Sequence, residues 1–366
     1  MNKRAILITP LVPGRTGNGL SMRAGMWLEC LSQDFDVDLV VGPIYPAHPS
    51  APDFARDFAS TITIVTPLAR ETGLHDISIE ESDIHKLDNL SPAAALVVVF
   101  RLVTAELIAD STLHQLPSIL DLDDADWVRE ERLGHPHLTA DIIRKTSELS
   151  SLFDLVTFAQ PLNSIPHLSE VVPTNVMTIP NASQAPESTF LETAAKATDL
   201  LFVGTLGYAP NEEGLLWFIT EVSPLLPDVR VAIVGANPTQ ELLKHQSPLL
   251  HIHANVPEVS SWYRSAHAAI VPLFAGSGTR IKILEAWAHA TPVVSTSIGI
   301  EGIDNTQGAL IADSASAFAA ACASLLHSPD LAWSLAHDGH QLWQDHYSLS
   351  SFRHHISLAV EKVLSI

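Results

Sequence analysis

Short apolar runs alternate with glycine loops and amphipathic stretches along this chain, a pattern that predicts strands of parallel sheet separated by helices. In the first half the runs fall at residues 5–9, 37–41, 61–65, 95–100, 118–124 and 153–158, with 176–181 closing the set. In the second half they fall at 200–204, 231–235, 251–256, 269–271 and 308–313. Helical spacing is expected from a glycine loop to about residue 31, over 279–290 and 315–326, and through most of the chain after Trp333. The last helix, 350–365, sets Phe352, Ile356, Val360 and Val363 on one side. The polar, acidic stretch 71–90 reads as a surface excursion with a helix of its own.

Strand, glycine loop and helix recur in both halves, as two Rossmann-like domains require. The expected division is 1–182 for the first domain, 183–199 for a polar linker of small residues, 200–345 for the second domain and 346–366 for the final helix.

Length and composition narrow the class. A chain of 366 residues has room for two ordinary domains, and 46% hydrophobic against 17% charged residues describes a packed protein. The formal charge of −21 argues against nucleic-acid partners and a polybasic membrane anchor, while leaving room for one local basic pocket. Cys30 and Cys322 are too few for a disulfide framework or a thiolate metal site. The apolar run after Lys3 and Arg4 meets Pro10 too soon for a signal sequence, and no run approaches the roughly 18–20 residues of a spanning helix. A cytoplasmic location is the expectation.

Candidate chemistry concentrates in residues 271–295. There a strand runs through Gly276-Ser277-Gly278 into a helix whose free N–H groups suit a phosphate. Gly278, Lys282 and Glu285 share one narrow arc of that helix, opposite Ile283, Leu284 and Trp287. Lys282 and Glu285 read either as groups beyond a phosphate cradle or as an exposed i,i+3 ion pair worth a few tenths of a kcal/mol. In the first half, Gly17-Asn-Gly19 is followed by Met22 where a dinucleotide fingerprint needs glycine, which argues against a hydride-transferring dehydrogenase. Arg101 ends a buried strand where parallel sheets bind ligands, and either meets a ligand or pairs with a carboxylate. Asp121, Asp123 and Asp124 cluster at the next strand end. His114 and His135 stand at no metal-ligand spacing from them, and Asp123 or Asp124 could equally cap a helix starting at Asp126. Asn211 is placed to cap the helix that starts near it.

Gly276-Ser-Gly-Thr-Arg-Ile-Lys-Ile-Leu-Glu-Ala-Trp-Ala, then Thr291-Pro-Val-Val-Ser-Thr and Gly299-Ile-Glu-Gly302, resembles the donor-site signature of glycosyltransferase family 4. The likeness extends upstream through residues 202–218 and Val234-Gly235. It implies the GT-B fold, two Rossmann-like domains whose parallel sheets face each other across a cleft, with the C-terminal helix crossing back to the N-terminal domain. It further implies a retaining glycosyltransferase that moves a sugar from a nucleotide-diphosphate sugar to a glycan, lipid or small-molecule hydroxyl. Front-face attack then needs no protein nucleophile, metal or further cofactor. Donor contacts carry over onto Gly17, Gly19, Gly204, Val256, Gly276, Ser277, Gly278, Thr279, Arg280, Lys282 and Glu285. Catalytic roles carry over onto Arg101, Asp123, Asp124 and Lys282, with Asp123 or Asp124 orienting the acceptor.

Two departures qualify this. Residues 205–214 lack the arginine and lysine that hold the diphosphate in much of the family, and Ser277 replaces the first of its two glutamates. These departures favour a non-catalytic partner subunit that binds a sugar nucleotide as the alternative. A nucleotide-sugar epimerase is a more distant one. Peripheral membrane association stays open.

Overall fold

The aliphatic runs become strands buried on both faces, as parallel sheets covered by helices demand. A computed structural model describes residues 3–45, 51–66, 68–69, 77–78, 80–109, 111–172, 175–184, 197–276, 280–303 and 305–365. The chain divides into two units, Met1–Pro180 with Phe352–Ile366, and Asn181–Ser351.

The first unit contains β1 (Lys3–Thr9), β2 (Phe35–Val41), β3 (Thr61–Ile64), a small antiparallel pair β4 (Leu68–Ala69) and β5 (Ile77–Ser78), then β6 (Ala94–Phe100), β7 (Ser118–Asp123), β8 (Leu155–Phe158) and β9 (Val176–Thr178). Its main sheet is parallel throughout, in the order β3-β2-β1-β6-β7-β8-β9. The order reverses between β1 and β6, so the carboxyl ends of β1, β6 and β7 define the ligand-binding edge expected of such a sheet. Ile6, Ile8, Val97, Val99, Leu120 and Val156 form the centre of its core. The helix Gly19–Leu31 follows β1, capped by the Asn18 side chain, which accepts from the Ser21 N–H at 2.9 Å. From Phe352 onward the helix Leu349–Leu364 belongs to this unit. Phe352 meets Trp27 edge-on with ring centres 6.2 Å apart.

The second unit contains β10 (Thr198–Val203), β11 (Val231–Gly235), β12 (Leu250–Ala254), β13 (Ala266–Val271), β14 (Val293–Ser295) and β15 (Ala309–Ile311). They form a parallel sheet ordered β12-β11-β10-β13-β14-β15, reversing between β10 and β13. Close backbone approaches set its binding edge. A Cβ on Gly235 would lie 1.7 Å from the Gly204 carbonyl oxygen, so β10 and β11 end in contact that only glycine permits. The helix Ile281–Ala288 is pinned from behind by Trp287. Its indole N–H donates to the Gly308 carbonyl at 3.0 Å, and a Cβ on Gly339 would fall 2.4 Å from its ring.

Several boundaries differ from the sequence expectation. The helix expected over 279–290 is Ile281–Ala288: Arg280 is its extended N-terminal cap residue, and Ala290 turns left-handed at φ 52° ahead of Pro292. Strand β12 stops at Ala254 because Asn255 turns left-handed at φ 54°. Ser183 sits with the second unit, donating its N–H to the Tyr347 carbonyl at 3.0 Å and accepting from the Trp343 indole at 2.9 Å. Of the expected linker, residues 185–196 lie outside the described ones. Among the described residues no helix is long and apolar enough to cross a membrane.

Gly214 gives a test with an unusual sign. Alanine inside a helix ordinarily gains about 1 kcal/mol over glycine. Within the helix Ala209–Trp217, however, a Cβ on Gly214 would sit 2.0 Å from the Pro272 carbonyl oxygen. Gly214→Ala is therefore expected to destabilise by about 1–3 kcal/mol in urea unfolding. A stabilised variant would refute the close packing of this helix on the β13 exit.

Candidate functional site

The binding edge of the second unit gathers residues from three elements. Gly204 follows β10, Asn211 lies in the first turn of the helix Ala209–Trp217, and Lys282 and Glu285 lie on the helix Ile281–Ala288. The Lys282 ammonium donates to Asn211 Oδ1 at 2.7 Å and stands 4.1 Å from the centre of the Phe202 ring. A Cβ on Gly204 would meet that ammonium at 3.0 Å, so the glycine leaves room for the lysine head. Glu285 Oε2 accepts from the Tyr263 hydroxyl at 3.0 Å, and the same hydroxyl lies 3.2 Å from the Lys282 carbonyl.

Lys282 and Glu285 are half-buried and form no ion pair with each other, which removes the reading as an exposed i,i+3 pair. Burial lowers the Lys282 pKa to about 7, with Arg280 acting in the same direction and Glu285 opposing. Burial raises Glu285 to about 7 against the pull of the Tyr263 hydrogen bond and Lys282. A cation and a carboxylate that each resist charging in the free protein, side by side at a sheet's ligand edge, form a functional-site signature. Tyr263 is pushed well above its ordinary value, first by burial and then by Glu285.

Gly276 holds φ 116°, and a Cβ there would lie 2.9 Å from Arg280 Nη2, so the guanidinium folds back over the loop entrance. Ser277, Gly278 and Thr279 lie outside the described residues. Val256 follows the left-handed Asn255 and packs partly buried on the core. Asn255 donates its N–H to the Gly235 carbonyl at 2.9 Å.

The first unit carries a different arrangement, a chain of buried charges. Arg23, fully buried on the helix Gly19–Leu31, donates Nε and Nη2 to Asp121 at 2.8 and 2.9 Å and Nη2 to the Ile179 carbonyl at 3.0 Å. Asp121 also accepts from the Trp27 indole, from Thr157 Oγ1 at 3.0 Å and from the Asp123 N–H at 3.1 Å. Asp123 lies between two guanidiniums, 3.5 Å from Arg23 and 3.8 Å from Arg101. Arg101 grips Asp126 with Nη2 at 2.8 and 2.6 Å and donates Nη1 to the Leu122 carbonyl at 2.8 Å. Burial works against the Arg101 charge, but Asp126 and Asp123 outweigh it and raise its pKa. Arg101 and Asp123, at adjacent strand ends, both hold left-handed backbones at φ 77° and 64°. Such strain persists only where surrounding contacts over-determine it.

Of the two sequence readings for Arg101, the structure thus realises pairing with a carboxylate. The capping reading of Asp123 is overturned: the helix Asp126–Arg132 follows Ala125 as its cap residue, and the Asp123 carboxylate faces arginines. Asn211 is likewise no cap, because the helix starts earlier, after Tyr208 with Pro210 in its first turn. Gly17, at φ 120°, and Gly19, the first residue of its helix, form the turn beyond β1. Among the described residues no three His, Cys, Asp or Glu side chains gather as a metal-ligand set.

Sequence reasoning missed Arg23 and the Tyr263 hydroxyl. Arg23 stands among Met22, Ala24, Met26 and Trp27, an arginine on an otherwise apolar helix face, and that was the available signal.

Residues 197–328 match the family model described as Glycosyl transferases group 1. A Klebsiella pneumoniae relative, an uncharacterized 44.6 kDa protein in the cps region, is 32% identical over 123 residues, 30% of this chain. The chain spans 32% of that relative's length. Among solved structures, Anabaena Alr3699/HepE in complex with UDP superposes with a TM-score of 0.73 at 12% identity, covering 98% of this chain and 99% of that one. The pneumococcal O-GlcNAc transferase GtfA, with UDP and GlcNAc, gives 0.71 at 10% identity over 100% of both chains. TarM from S. aureus, with fondaparinux, alpha-GlcNAc-glycerol and UDP, gives 0.71 at 8% identity over 99% of both. These likenesses define the fold: the chain is a GT-B protein with two parallel-sheet α/β domains. Within it, residues 197–328 are a glycosyl transferases group 1 domain.

The buried charge chain yields one prediction. Asp121→Asn keeps the shape but takes from Arg23 its nearest counter-charge, leaving only the more distant Asp123 at 3.5 Å. Breaking one side of a buried pair costs about 3–5 kcal/mol, so urea unfolding should move to much lower denaturant. An unchanged midpoint would show that Asp121 does not carry the Arg23 charge.

Proposed function

We propose that the protein is a retaining glycosyltransferase of the family 4 branch, moving a sugar from a nucleotide-diphosphate sugar to an acceptor hydroxyl. The observation that carries this reading is the half-buried Lys282 and Glu285 beside Gly204, at the ligand edge of a glycosyl transferases group 1 domain. UDP bound in the HepE, GtfA and TarM structures supports a uridine nucleotide as donor.

In this reading Lys282, Arg280 and the N-terminus of the helix Ile281–Ala288 meet the diphosphate, whose negative charge grows as the glycosidic bond breaks. Glu285 accepts from the ribose hydroxyls, and the turn at Val256 faces the base. The bond from the anomeric carbon to the phosphate oxygen breaks as the acceptor oxygen bonds to the same face. The acceptor's proton passes to the departing phosphate, so no protein nucleophile takes part. In the N-terminal unit Arg101 holds the strand end, and Asp124, half-buried beyond the strained Asp123, orients the acceptor hydroxyl.

A direct check is thermal shift and calorimetry with UDP, GDP, dTDP and ADP. UDP should raise the melting temperature of the wild type. Lys282→Ala and Glu285→Ala should each weaken it by about tenfold to a hundredfold, the worth of a hydrogen bond to a charged group. Incubating UDP-sugars with hydroxyl acceptors then separates a transferase from a passive binder. If none of the four nucleotides shifts the melting temperature at millimolar concentration, the donor-site assignment fails.

A further inference from the structure

Lys282 is held in an unusual way for a half-buried cation. Buried ammonium groups are ordinarily matched by a carboxylate. Here the Nζ donor meets the neutral Asn211 amide at 2.7 Å and the Phe202 ring at 4.1 Å, and no carboxylate among the described residues pairs with it. The orientation of the amide is fixed from its far side. Asn211 Nδ2 donates to the Thr205 carbonyl at 2.8 Å, so Oδ1 must face the lysine. A flipped amide would set donor against donor at the lysine and acceptor against acceptor at the Thr205 carbonyl. Asn211 is itself 6% exposed and anchored by its N–H to the Tyr208 carbonyl at 2.9 Å.

The surrounding elements can be read the same way. From β10 comes the Phe202 ring, from the helix Ala209–Trp217 the Asn211 amide, and from the helix Ser260–Ser265 the Tyr263 hydroxyl, 3.2 Å from the Lys282 carbonyl. The charges acting on the amine are on its own segment, Arg280 opposing protonation and Glu285 favouring it.

We propose that Asn211 is a positioning residue for the anion site: it aims the Lys282 amine with an uncharged acceptor, so the amine gains its counter-charge, and with it a proton, when a diphosphate binds. The inference rests on the donor-site reading above and adds a proton to it. The free amine titrates near 7, well below an ordinary lysine, because burial opposes its charge. A bound diphosphate favours the ammonium form and raises that value. Between the two values binding takes up a proton and affinity falls as pH rises. The Glu285 carboxyl, also raised to about 7 by burial, is mostly ionised by pH 8 and does not cancel the effect there.

The experiment is titration calorimetry of the full chain with UDP from pH 7.5 to 9, in buffers of different ionisation heat. The phosphate's own pKa, about 6, lies below that window. The wild type should take up close to one proton at pH 8, with Kd rising up to about tenfold per pH unit. Lys282→Arg, which keeps its charge throughout, should bind with a flat profile and no uptake. Asn211→Asp supplies a built-in counter-charge, so UDP should bind more weakly at pH 7.5 and the pH-dependent loss should begin at least about one unit higher. A purely structural role for Asn211 would change affinity without moving the profile. Tight UDP binding with no proton uptake by the wild type would overturn the proposal and leave the donor site standing, as would identical profiles for wild type and a folded Asn211→Asp. If UDP fails to bind at every pH, the donor-site reading falls and takes this proposal with it.

Discussion

The two oxygens of Asp121 accept from Arg23 and Trp27 on one helix, Thr157 on the neighbouring strand and the N–H of Asp123 on their own strand. That many donors around one carboxylate permit Arg23 to be buried beside it. From this pair the charges alternate outward through Asp123, Arg101 and Asp126 to Arg129, which lies 3.1 Å from Asp126. The strained backbones of Arg101 and Asp123 sit inside that chain, held by ionic contacts on both sides. The strand ends of the first unit owe their shape to charge satisfied from within.

The second unit is built on the opposite principle. Its cation faces an amide and a ring, and its carboxylate faces a phenol. Neither group meets its natural opposite, although both stand on one short helix. Burial of unmatched charge is costly in the free protein, and sites that retain such groups are commonly those where a ligand completes them. The contrast separates an edge whose charges are matched in one unit from an edge whose charges are unmatched in the other, although both sheets reverse their strand order in the same manner.

Much of the fold could be read in the sequence because buried parallel strands need unbroken aliphatic runs, and runs such as 95–100 and 231–235 have no other explanation. The glycine loop before Lys282 and the departures at residues 205–214 were also visible, since both are local patterns. What escaped was non-local. Arg23 and Asp121 are 98 positions apart, Asn211 and Lys282 are 71, and Tyr263 and Glu285 are 22. The capping expectation for Asn211 failed for a related reason. Pro210 favours a helix start ahead of it, and the side chain answers to a lysine that no local window contains. The helix Ile281–Ala288 is shorter than the 279–290 its spacing predicts, because neither the extended Arg280 nor the left-handed Ala290 announces itself by residue type.

Trp287 lies on the same helix as Lys282 and Glu285, its indole bonded to the Gly308 carbonyl and closed in by Gly339. Neither glycine can gain a side chain without striking the ring or the other's backbone. The helix is therefore set in place by packing on the side away from Lys282 and Glu285. A pre-arranged site loses little conformational freedom on association. The helix then acts as a fixed mould, and any ligand at this edge meets Lys282 and Glu285 on a backbone already set.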